Sequence, residues 1–173
     1  MHYDETQETW LETVLADAKS NGYNVICINH YPPQKGIDAY DCNFASFVSS
    51  ISGESQEERL PDSAYDVVDD FIEGGGKFVC WLSGHTHYDY FGTVNNHSNQ
   101  IDITIENAGT NGTYNDGRRV RGTKTQDNFS IVGFDFTNKL ISLVRIGTNT
   151  DRHLRPKHRI CISYNTKEVL SYS

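Results

Sequence analysis

The run Phe78-Val79-Cys80-Trp81-Leu82 constrains this chain more than any other stretch. Its apolar residues follow one another with no polar alternation, and Gly84 stands just beyond. A half-exposed strand alternates with period two, so an unbroken apolar run of this length predicts a strand buried on both faces. Val25 to Ile28 carries the same signal. Each run follows an amphipathic stretch. Residues 5–20 set Trp10, Leu11, Val14, Leu15 and Ala18 on one face at a 3.6-residue period. Asp4 and Gln7 have the spacing of a capping box, and Asn21-Gly22 is a stop signal. Asp62 opens a second helix through Ala64, Val67, Val68, Phe71 and Ile72, which Gly74-Gly75-Gly76 closes. Helix then strand, twice over, predicts an α/β sheet.

Regularity is lost from Pro32 to Pro61. A connection this long inside a domain points to a functional loop, with room for a short helical piece around Phe44 to Ser50. Downstream the pattern turns to strands at residues 101–107, 128–136, 139–147 and 159–165, with Thr137-Asn138 placed as a hairpin turn. Nothing marks a linker or a repeat. At 173 residues the expectation is one domain spanning 1–173, of α/β (α+β) class with a largely antiparallel C-terminal sheet.

A formal charge of −8 argues against a nucleic-acid or anionic-membrane surface. Cys27, Cys80 and Cys161 lie in apolar strand-like runs and Cys42 in the loop, with no CxxC, as reduced core thiols do. The opening MHYDETQETW is polar and acidic, unlike a signal peptide, and no apolar run approaches spanning length. A cytoplasmic protein is expected.

The chemistry-bearing residues stand at the ends of the two apolar strands. Gly84-His85-Thr86-His87 follows one, and Asn29-His30 before Tyr31-Pro32-Pro33 follows the other. Histidines at i and i+2 of an extended segment point to opposite sides. Around a turn, each can instead reach a different ion of a close pair; two exposed loop histidines is the competing reading. His30 tips this toward metal. Two strands of one α/β sheet that both end in histidine bring those residues to the carboxyl edge, where such sheets bind ligands.

The order helix QETWL, strand ending NHYPP, long excursion, helix, strand ending GHTH resembles the second half of the calcineurin-like metallophosphoesterases, most of all their bacterial and phage-associated members. The likeness runs from about Gln7 to His87, and more loosely through ENAGTN to the end. It implies a metallophosphoesterase-like β-sandwich flanked by helices. It also implies His30 and His85 as ligands of one divalent ion and His87 as ligand of a second, with Mn, Fe or Zn as the metal and a phosphate ester as the substrate. In such a site two ions about 3.5–4 Å apart hold a hydroxide for in-line attack on phosphorus.

The family's upstream motifs, Asp-x-His, Gly-Asp and Gly-Asn-His, are not matched. Asp151-Arg152-His153 lies in an Arg-rich turn, Asn96-His97 in a polar loop, and no Gly-Asp pair occurs. The chain is therefore expected to be a partial domain, with His30, His85 and His87 as its metal ligands and no catalytic residue assigned. Asp38, Asp41 and Asp89 are candidate extra oxygen donors; Tyr31 and Tyr88 are candidates for the pocket wall. Weak binding of one ion and little or no phosphatase turnover by the chain alone follow, with self-association or a missing N-terminal half to cover the exposed sheet edge. The alternative is an inactive phosphoesterase-like binding or structural module, for instance phage- or prophage-associated.

Overall fold

In the computed structural model, the residues described are 4–30, 38–39, 62–84, 90–94, 98–102, 106–107, 120, 122–147 and 158–172. Helix α1 (Glu5–Ser20) begins where its capping box predicts. The Asp4 carboxylate accepts from the Gln7 amide at 3.0 Å, and the Gln7 side chain accepts from the Asp4 amide at 3.2 Å. Its buried face is narrower than the sequence implies. Leu11, Leu15 and Ala18 are buried, whereas Trp10 is 62% and Val14 41% exposed. The buried three recur at i, i+4 and i+7, and the other two sit one step off that line.

Strand β1 (Asn24–Ile28) and the two-residue β2 (Asp38–Ala39) follow. Helix α2 (Asp62–Glu73) then leads into β3 (Lys77–Ser83). The amides of Gly74, Gly75 and Gly76 bond back to Asp70, Ile72 and Phe71, closing the helix at the triple glycine. Strands β4 (Tyr90–Val94) and β5 (Ser98–Asp102) complete a five-stranded sheet of order β1-β3-β5-β4-β2. β3 is parallel to β1 and to β5, while β4 is antiparallel to both β5 and β2. Parallel neighbours require a crossover, and the segment carrying α2 supplies it between β1 and β3.

The second sheet is antiparallel throughout, in the order β10-β9-β8-β7-β6. It comprises β6 (Glu106–Asn107), β7 (Asp127–Asp135), β8 (Leu140–Gly147), β9 (Arg159–Ser163) and β10 (Glu168–Tyr172). The expected hairpin is present, its loop running from Phe136 to Lys139 between the pair Asp135 and Leu140. Residues 101–107, expected as one strand, divide between the two sheets: β5 ends at Asp102 and β6 begins at Glu106.

One apolar cluster joins α1 and α2 to the first sheet through Leu11, Leu15, Tyr65, Val68, Phe71 and Trp81. Tyr65 meets the Trp81 ring edge-on, with centroids 6.5 Å apart. The other cluster joins the two sheets, bringing Val79, Cys80 and Phe91 against Ile141, Leu143, Ile160 and Ile162. β3 thus feeds both clusters, which is why its sequence is apolar without a break. Strict alternation would send Val79 and Cys80 to opposite sides. The β1–β3 register steps from Val25–Phe78 to Ile26–Cys80, so Val79 is an inserted residue. That bulge lets both neighbours join the inter-sheet cluster while Phe78 and Trp81 stay with the helices.

β1 corrects an expectation. Read as buried on both faces, it is half-buried from Asn24 to Cys27, and Ile28 is 79% exposed. The excursion at 32–61 lies outside the described residues except for β2, and so does the helical piece expected at 44–50.

Candidate functional site

β1 and β3 run side by side in the same direction, so their carboxyl ends emerge together. The pairing extends past the last strand residues. The Asn29 amide donates to the Leu82 carbonyl at 3.1 Å, and the Gly84 amide donates to the His30 carbonyl at 3.2 Å. His30 is exposed in a bend beyond β1, and Gly84 is half-buried beyond β3. His85 follows Gly84 in the chain, but His85 and His87 themselves lie outside the described residues. The sequence-read site residues are therefore split: His30 stands at the expected edge, beside the backbone that leads into His85.

The remaining candidates divide in the same way. Asp38 belongs to β2, paired with Thr93 of β4. Tyr31, Asp41, Tyr88 and Asp89 lie outside the described residues. Among the described residues no group of three or more His, Cys, Asp or Glu side chains is arranged to hold a metal.

Two of the thiols, Cys27 and Cys80, are poor nucleophiles because of their surroundings. Cys27, Cys80 and Cys161 are free. Burial pushes the Cys27 thiol up to about 12. Burial, and then the neighbouring Cys27, push Cys80 up to about 12 as well. A thiol that loses its proton only there supplies almost no thiolate at neutral pH. Cys42 lies outside the described residues. Among the described residues no helix is long and apolar enough to cross a membrane.

The donor chemistry can be weighed against a metal. Neutral imidazoles suit Mn, Fe and Zn. Imidazoles bring no negative charge, so histidines alone do not suit two cations held about 3.5–4 Å apart.

No family model matches the chain, and no curated protein matches it. A solved structure does: a dimetal phosphatase from Danio rerio, with a TM-score of 0.51 and 15% sequence identity. The likeness covers 94% of this chain and 38% of that protein, so this chain spans well under half the length of its structural neighbour. At that identity the likeness concerns the fold alone, the combination of helices, a mixed sheet and an antiparallel sheet.

Proposed function

We propose that this chain is the C-terminal part of a metal-dependent phosphoesterase, the half of its β-sandwich that contributes His30, His85 and His87 as metal ligands. The observation that carries the reading is the bond from the Gly84 amide to the His30 carbonyl, 3.2 Å long, between the two strand ends that lead into these histidines. Side-by-side strand ends at the carboxyl edge of an α/β sheet form the usual ligand crevice of such sheets. A divalent cation bound there would supply Lewis-acid polarisation of a phosphoryl oxygen. The role of the chain's own residues is to hold and orient. β1 and β3 fix the backbone spacing at the edge, and Tyr31-Pro32-Pro33 restricts the chain leaving His30.

The substrate class is a phosphomonoester or phosphodiester. The ligand set lacks anionic charge, so the chain alone is expected to turn over substrate poorly, and an upstream segment of the same polypeptide would supply the carboxylates. Reading the coding sequence upstream of Met1 tests this directly. In-frame Asp-x-His, Gly-Asp and Gly-Asn-His motifs there, with metal-dependent hydrolysis of nitrophenyl phosphate by the extended chain, are the expected result. A stop codon directly upstream, with no hydrolysis under any divalent metal, would overturn it in favour of a binding or structural module.

A further inference from the structure

At the amino edge of the first sheet, roughly 20 Å from His30 by strand rise, a cleft of about 460 Å³ opens between the two sheets. Asn24 and Phe78, at the starts of β1 and β3, form one wall, and the tips of the two C-terminal hairpins form the other. Three lysines line it: Lys77 from β3, Lys139 from the β7–β8 turn and Lys167 from the β9–β10 turn. In a chain of net charge −8 this is a local reversal of sign.

The backbone singles out two of these lysines. Lys139 has φ 61° and Lys167 has φ 62°, and among the described residues they are the non-glycine residues at positive φ. Side chains rarely adopt that conformation, and glycine or asparagine is its usual occupant. The two turns share a plan. Asp135 Oδ1 accepts from the Asn138 amide, and Ser163 Oγ accepts from the Thr166 amide, three residues on in each case. Lysine then comes next, in the left-handed position, and both lysines reach the same cleft. A strained backbone kept for a particular side chain is a pointer to function.

Lys139 Nζ lies 5.9 Å from the centroid of the Tyr164 ring, and the Tyr164 amide donates to the Lys139 carbonyl at 3.0 Å. Lys77 Nζ donates to the Gly22 carbonyl at 3.0 Å, outside the residues that line the cleft, so it adds charge at the margin and not a contact. Burial lowers the Lys167 ammonium, against an opposing pull from Asp69. One side of the cleft is unfavourable: Glu73 lines it at the C-terminal end of α2. A bound anion would therefore sit toward the two hairpin turns. Its volume falls in the range of small-molecule sites.

We propose that this cleft binds a small diphosphate-bearing anion between Lys139 and Lys167, at the tips of the two C-terminal hairpins. The site is separate from the histidine edge and independent of any activity there.

Calorimetric titration of the full chain with inorganic pyrophosphate at low ionic strength tests it. Saturable binding that weakens as salt rises is expected. Lys139→Gly with Lys167→Gly should weaken it at least tenfold while the thermal midpoint without ligand stays equal or rises, since glycine suits both turns. Glu73→Gln should tighten it about two- to threefold, and His30→Ala should leave it unchanged. Adenosine diphosphate provides a second arm: tighter binding than pyrophosphate assigns a nucleotide, and equal binding assigns free diphosphate. If the double variant does not fold, protection of Lys139 and Lys167 from acetylation by pyrophosphate in the unaltered chain replaces it. Absence of saturable binding, or binding that survives the double variant or disappears with His30→Ala, would overturn the proposal.

Discussion

The Gly84 amide donates to the His30 carbonyl at 3.2 Å, tying together the chain just past β1 and just past β3. The link comes after the regular strand pairing, which ends at Ile28 and Leu82. Backbone bonds fix relative position without any help from side chains. The histidine that follows β1 and the glycine that opens Gly-His-x-His are therefore neighbours because of sheet register. That holds whatever occupies the edge.

Helix α1 should separate energetically into one essential line and one dispensable flank. Leu15 is 2% exposed inside the helix–sheet cluster, whereas Trp10 is 62% exposed. Leu15→Ala is expected to cost about 2–5 kcal/mol in urea unfolding. Trp10→Ala should stay within about 0.5 kcal/mol. Equal losses would place Trp10 in a contact that its exposure denies.

Gly147 ends β8 at φ 98°, and a Cβ built there would overlap the Asp127 carbonyl oxygen. Both the dihedral and the close backbone approach exclude a side chain. Gly147→Ala is expected to lower stability by about 2 kcal/mol or more. Gly122, at φ 78° with nothing near its would-be Cβ, carries only the dihedral penalty. Its alanine variant should lose about 1 kcal/mol. Thermal unfolding of the two variants side by side checks the order.

Cys27 and Cys80 give the fold an alkaline limit. Their folded values stand at about 12 against an ordinary 9.0, so the folded chain holds protons that the unfolded chain releases. The resulting stability is fully present below pH 9 and is lost as pH rises from 9 toward 12. Each thiol contributes a slope of up to ~1.4 kcal/mol per pH unit across that window. Urea unfolding at stepped pH should show it, and Cys27→Ala with Cys80→Ala should flatten it. Native-state iodoacetamide should leave both thiols unmodified at pH 8.

Local signals in the sequence carry much of this architecture. The capping box at Asp4, the triple glycine after α2 and the unbroken apolar run of β3 each act through a few neighbouring residues, and each is found where expected. Non-local features are hidden. The apolar run of β1 reads as a strand buried on both faces, yet its first four residues are half-buried and Ile28 is exposed. The Val79 bulge is invisible in a run where every residue is apolar, because the bulge changes facing and not composition. The division of residues 101–107 between two sheets depends on pairing partners outside the segment. The same limit applies to the site. His30 is legible as a strand-end histidine, but its proximity to Gly84 follows from a parallel register that a single sequence does not contain. The lysine cleft gives no sequence signal at all, since its three lysines are far apart in the chain and meet only through the fold.

Metal stoichiometry tests the central claim most directly. The chain would be equilibrated with Mn or Zn, dialysed, and its bound metal counted by elemental analysis beside His30→Ala and His85→Ala. The expected result is at most one ion per chain, weakly held, and lost from both variants. Two tightly held ions, or one ion whose binding is unchanged by His30→Ala, would contradict the account.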